Sequence, residues 1–596
     1  MRATMKLKQL FKSFLRLLVK IKKKYSSGYK NILIMHVSFI MIVLIEIVVR
    51  IELKKIELLL SAILLVLIYF SLISFINKFF NFIFEIEKRP ENIYRLSPKD
   101  LRRMKFLYLW KSIIKNANVS EETFLQTLAF FNSNSEQKAN TFSQSIGAIS
   151  CDKKGEFYQL KMGDDFNLSS LRNFLLYISD EPSQSIYKKL VGLNDKIFVL
   201  TSEVEQNNMA KLAHEKSNRL LAPSLKELTA FLLSSDKEQE FISILSKCLL
   251  FKDVSPYQIN GDVKNENNFF GRVEILREII SNNSANYLLV GARQLGKSSV
   301  LKALERRYEQ NELCYHAFTL DESGDVMTAL CKALNLVEGS SLEQVVDTIK
   351  AEKQKVIFLI DEADKFVQNE KENGYLLTSV FRKLAQEGEA MFILAGFWTL
   401  YEYVTLDYQS PLKNFGKLII LGGLEKEACR ELMLEPMERI GIQYEDESIV
   451  EKTIELCGYR ANYIATVCDV VLQSLEHSSI SQKDVDDALE SDAIDKMLKG
   501  WGAMSANEKV NRLDRLIVYM TIEKESFRLG DVVTAIKEKG LSIDTQKIDE
   551  SLERLVLGYV VGKHKGNYTY RIPLLRERLL EEDLAFLIEG EILGLK

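Results

Sequence analysis

Asn286-Tyr-Leu-Leu-Val-Gly-Ala-Arg-Gln-Leu-Gly-Lys-Ser-Ser-Val300 is the stretch on which the reading of this chain turns. The apolar run 287–290 predicts a buried strand, and Gly291-x4-Gly296-Lys297-Ser298 follows at once. The residues after it carry apolar side chains at helical spacing. Strand, glycine loop and helix together make the context that a phosphate-binding loop requires. Glycine at 291 and 296 lets the backbone wrap with its N–H groups turned inward, where a Cβ would obstruct. The positive end of the next helix adds to that field. Lys297 is placed to reach the β- and γ-phosphates, and Ser298 to ligate Mg²⁺. The candidate nucleotide-binding residues are Gly291, Ala292, Arg293, Gln294, Leu295, Gly296, Lys297, Ser298 and Ser299. A nucleoside triphosphate is the expected ligand, with ATP and Mg²⁺ as cofactors.

A second stretch supports the first. Val356-Ile-Phe-Leu-Ile-Asp361-Glu362 reads as a central parallel strand, buried on both faces, with an acidic pair at its carboxyl end. Asp361 is the candidate Mg²⁺ ligand through water, and Glu362 the candidate base for the attacking water. The expected activity is Mg²⁺-dependent ATP hydrolysis, with Glu362 and Lys297 as catalytic residues.

The 596 residues suffice for several domains. The apolar share of 47% and charged share of 27% are those of a globular chain. A net charge of -3 gives no global argument for nucleic acid. Seven cysteines, scattered without metal-ligand spacing, read as buried thiols of a reducing compartment. Charge is uneven at the start: residues 1–30 carry ten Lys/Arg and no acid. Within them, residues 9–24 have helical apolar spacing suited to an anionic lipid surface. Residues 31–49 and 58–76 are predominantly apolar and long enough to cross a bilayer. The surrounding positive charge predicts an inner-membrane localisation with two spans and both termini cytoplasmic. Glu46, inside the first span, reads either as functional or as snorkelling to the interface.

The expected fold class is an α/β P-loop NTPase with a parallel sheet, joined to smaller domains. The expected divisions are 1–30, a basic amphipathic segment; 31–95, two transmembrane helices and a linker; 96–255, an α/β middle domain; 256–422, the ATPase core; 423–500, a helical lid; and 501–596, a winged-helix domain. In the middle domain, Tyr158-Gln-Leu-Lys161 resembles one arm of the restriction-endonuclease-like fold. Its upstream acids, Glu136 and Asp152, do not have the usual spacing, which implies an inactive relative or an unrelated sensor.

Phe269-Phe-Gly-Arg-Val-Glu274, with the two motifs above, resembles the AAA+/STAND ATPases, including origin-recognition-type ATPases. The resemblance implies that Arg272 contacts or flanks the base and ribose. It implies a lid carrying a sensor arginine, here Arg460 within Gly458-Tyr-Arg-Ala-Asn462, that reaches the γ-phosphate. It further implies a switch that forms homo-oligomers and answers an unidentified protein partner or trigger, with bacterial defence or stress signalling as a role by analogy. Residues 505–582 order as three helices and a hairpin, resembling a winged helix. Asp549, Glu550 and Glu553 on its third helix would repel phosphates, so nucleic acid is disfavoured as a partner. Lys563, His564 and Lys565 in the wing point the other way. A membrane-tethered DNA-binding ATPase and a membrane-permeabilising effector are the alternatives.

Overall fold

The computed structural model describes residue 79 and residues 81–596, apart from 107–109, 164–165, 167–172, 217–218, 250, 260, 264, 283–284, 322, 408–409 and 476. The chain divides into two compact units, residues 1–129 and 130–596. The first contains a 3-10 turn, Pro90–Arg95, and the helices Pro98–Phe106 and Trp110–Ala117.

The expected inner-membrane localisation is corrected. Among the described residues no helix is long and apolar enough to cross a membrane. Residues 1–30, with their amphipathic stretch, the segments 31–49 and 58–76, and Glu46 lie outside the described residues.

The second unit opens with a five-stranded sheet in sequential order: β1 (Ala148–Lys154), β2 (Phe157–Met162), β3 (Asn173–Ile178), β4 (Ile197–Leu200) and β5 (Leu220–Leu221). The first three strands run antiparallel and the last three parallel. The register sets Asp152 opposite Gln159 and Ser150 opposite Lys161, so these four share one face of the β1–β2 hairpin. Asp152 accepts from the Ser150 hydroxyl at 2.9 Å. Among the described residues no group of three or more His, Cys, Asp or Glu stands close enough to hold a metal.

The second sheet is parallel throughout and ordered β10–β6–β9–β8–β7. Its strands are β6 (Tyr287–Val290), β7 (Tyr315–Thr319), β8 (Val356–Asp361), β9 (Ala390–Gly396) and β10 (Lys417–Ile420). β6, β8 and β9 are buried at every residue, as helices on both faces require. One strand, β9, separates the strand feeding the glycine loop from the strand ending in the acidic pair. Both motifs thereby emerge at the carboxyl edge, where parallel α/β sheets bind ligands. Asn286 fastens that arrangement from below: its amide donates to Phe415 O at 3.0 Å and accepts from Phe392 N at 2.9 Å.

Beyond β10 come the helices Lys426–Arg439, Glu447–Leu456 and Ala461–Ser474, sharing an apolar core through Met433, Ile454, Ile464 and Val467. The C-terminal part has helices Glu508–Thr521, Leu529–Glu538 and Thr545–Leu557, then an antiparallel hairpin, Val561–His564 with Asn567–Tyr570. Leu557, at the end of the third helix, is 2% exposed and belongs to the apolar core of the second sheet.

Candidate functional site

The loop between β6 and the helix Lys297–Gln310 is held open by cations from three directions. Lys297 is buried, and its ammonium donates to the carbonyls of Gly291 at 2.9 Å and Ala292 at 3.2 Å. Arg460 donates to Arg293 O at 3.3 Å. Arg272 donates to Leu295 O at 3.3 Å. Among the described residues none of these three buried side chains forms an ion pair. Burial lowers the pKa of each, the acids Asp361, Glu362 and Asp364 partly opposing it at Lys297 and Glu425 partly at Arg272. Cations held by neutral carbonyls are groups that an incoming anion would pair with more strongly.

Gln294 adopts φ +62 and Gly296 φ +89, the left-handed turns that let the loop wrap. The Gly291 N–H is tied to Gly396 O at 3.3 Å. Ser299 Oγ accepts from Val263 N at 3.1 Å, fixing residues before the core against the helix start. Ser298 is half-buried in the first turn of that helix.

The acidic pair has two different settings. Asp361 is 6% exposed at the end of β8, and its carboxylate accepts from the Glu362 N–H at 2.9 Å. Glu362 is exposed at φ +56, an unfavourable conformation for a residue with a Cβ. Strain of this kind persists where neighbours enforce it, and here one carboxylate is buried while the next is exposed. The sequence reading gave Asp364 no task. Its carboxylate accepts from Phe397 N at 2.7 Å and Leu400 N at 3.0 Å, capping the short helix after β9. An acid three residues beyond the strand end was visible in the sequence; its partner in another loop was not.

Arg272, expected to contact or flank the base and ribose, is buried beside the loop. It lines the cavity beside the loop, but its guanidinium points to carbonyls: Gly422 O at 2.6 Å, Gly423 O at 3.0 Å and Leu295 O. Arg460 lies at the first residues of helix Ala461–Ser474, and it joins Arg293 O to Gly558 O at 3.5 Å. Asn462 reaches Gln294 Oε1 at 2.9 Å. The cavity itself is about 140 Å³ and mostly apolar, bounded by Tyr257, Phe269, Phe270, Leu424, Pro436 and Ala465. Such walls suit a flat apolar group, and the buried cations lie beside them.

The C-terminal part closes over the same edge. Ala292 N–H donates to Leu557 O at 3.4 Å, and the Trp398 ring lies 4.6 Å from the Arg554 guanidinium. The Tyr559 ring lies against Gly422 and Gly423; at Gly423 a Cβ would collide with its hydroxyl.

No known protein family matches the chain, and no curated protein matches it. Among solved structures it is similar to a Walker-type ATPase of Pyrococcus abyssi, at 18% identity and a TM-score of 0.41, over 54% of this chain and 99% of that one. It is similar to the Aeropyrum pernix ORC1 protein in complex with DNA, at 16% identity and a TM-score of 0.32, over 55% and 95%. It is also similar to the Thermotoga maritima RuvB Holliday junction branch migration motor, at 12% identity and a TM-score of 0.30, over 52% and 94%. These likenesses are distant. The parallel strand order and the glycine loop give residues 287–420 the fold of an α/β P-loop NTPase.

Proposed function

We propose that this chain is an ATP-binding and ATP-hydrolysing switch of the AAA+/STAND type. The observation that carries the reading is Arg460, one buried side chain that touches the phosphate loop at Arg293 and the C-terminal part at Gly558. A γ-phosphate arriving at the loop would compete for that guanidinium, because a charge-assisted bond to phosphate is stronger than one to a carbonyl. Nucleotide state would thereby set the position of the lid and of the C-terminal helices, read here as a winged helix.

ATP is favoured by a narrow apolar cavity adjoining a cation-rich loop. Ser298 and Asp361 are the residues that would hold Mg²⁺, whose charge would stabilise the transferring phosphoryl group. Two protein ligands with substrate phosphates are an ordinary arrangement for this ion. Glu362, exposed at the sheet edge, would polarise the attacking water, and Lys297 would leave the Gly291 and Ala292 carbonyls for the phosphates. Assembly into a homo-oligomer and an answering protein partner belong to the same reading.

The test is hydrolysis of ATP by the full chain, with sedimentation measured with and without nucleotide. Lys297→Ala should abolish tight binding and any nucleotide-dependent change of assembly. If Lys297→Ala hydrolyses ATP at the rate of the unaltered chain, the reading fails.

A further inference from the structure

Arg272 is 7% exposed, yet among the described residues no carboxylate pairs with its guanidinium. Its three acceptors are carbonyls from two segments that are distant in sequence: Leu295 in the phosphate loop, and Gly422 and Gly423 in the connector from β10 to the helix Lys426–Arg439. Its own N–H donates to Glu425 Oε2 at 3.1 Å, one residue before that helix. Its φ of +60 is the left-handed conformation. We propose that Arg272 is the positioning residue of this site: it fastens the phosphate loop to the lid connector and leaves the base to the apolar walls. The proposal rests on the nucleotide reading above and states how that site is regulated.

Peptide stereochemistry supplies the reason. In a planar trans peptide the C=O and N–H point in opposite directions. Holding Leu295 O therefore turns the Gly296 N–H away from Arg272, at the positive end of the helix Lys297–Gln310. Lys297 and Arg460 hold the Gly291, Ala292 and Arg293 carbonyls in the same way. Arg272 differs from them in what else it grips. The paired carbonyls of Gly422 and Gly423 belong to the segment about which the lid must turn, and Tyr559 lies on that segment as well. A movement of Leu295 on binding phosphate thus alters the same guanidinium that fixes the connector. A lysine cannot reproduce this, since one ammonium lacks the planar fork that spans three acceptors.

The test uses the full chain and two probes, ATP and inorganic tripolyphosphate, the second having no base. Calorimetric titration of Arg272→Lys should show both affinities falling by a common factor, on the order of tenfold, the scale of a lost charge-assisted bond. Amide hydrogen exchange supplies the second readout. In the unaltered chain either probe should protect residues 291–296 and 422–428 together; in Arg272→Lys protection should stay with the loop alone. Thermal melting checks folding, and Arg272→Gln is read in the same way should the lysine variant fail to fold. A loss confined to ATP would mean that Arg272 reads the base, which overturns the proposal. So would unchanged affinities for both probes. If the unaltered chain binds neither probe, the nucleotide reading falls first and takes this proposal with it. Binding lost in Lys297→Ala but intact and still coupled in Arg272→Lys sinks the proposal alone.

Discussion

The hydroxyl of Tyr401 donates to the Glu553 carboxylate at 2.6 Å, joining the segment after β9 to the third C-terminal helix. Glu553 also accepts from Lys563 at 3.3 Å. Glu553, one of three acids that the sequence set against DNA binding, is here an internal partner. Burial and the adjacent Glu553 both push the Tyr401 phenol up, so it is a donor throughout the neutral range. Tyr401→Phe should weaken docking of the C-terminal part by about 1–2 kcal/mol. Chemical denaturation, with proteolysis of residues 501–596 as a second probe, measures it; an unchanged midpoint would contradict the contact.

Asp514 and Arg554 form a fully buried pair, with bonds of 2.9 and 2.8 Å and a further bond to Asp514 from the Ser551 hydroxyl. Removing one partner strands the other charge, so Asp514→Ala should cost about 3–5 kcal/mol. Because Arg554 also lies over Trp398, tryptophan fluorescence should change along with stability.

Glu362→Gln keeps the shape of the side chain and removes its basicity. ATP affinity should persist while turnover falls about 10²–10⁴-fold, the usual contribution of a positioned base. Retained turnover would move the base elsewhere.

Lys297 has a pKa held below the ordinary lysine value of 10.5, chiefly by burial. A bound polyanion would raise it again, so binding takes up protons at pH values between the depressed free value and the bound one. The sign follows from linkage: affinity is fully present below the depressed pKa of the free protein and is lost as pH rises towards the bound value. Calorimetry in two buffers of different ionisation enthalpy should register that uptake, and Lys297→Ala should abolish it.

What the sequence revealed depended on how local each requirement was. The glycine loop and the strand ending in Asp361 and Glu362 are written in consecutive residues, because backbone curvature and double-sided burial leave local marks. β7 was not visible: Tyr315-His-Ala-Phe-Thr319 sits at the sheet edge, where only partial burial is demanded and no apolar run results. β1 escaped for a similar reason, being an exposed edge strand ending in Asp152, Lys153 and Lys154. Arg272 was found, but its partners could not be, since Gly422 and Gly423 lie some 150 residues further on. The bond from Arg460 to Gly558 spans 98 residues. A charge's type is local, whereas the carbonyl it finds depends on the whole topology.

Leu557 gives the C-terminal helices a further significance. Its side chain completes the apolar core beneath the parallel sheet, and its carbonyl receives the Ala292 N–H. Cutting the chain at residue 500 would therefore bare an apolar socket in the core beside the parallel sheet and strand an amide of the loop. Heating should melt residues 287–596 in one cooperative transition, and an isolated core would be sticky rather than merely unregulated.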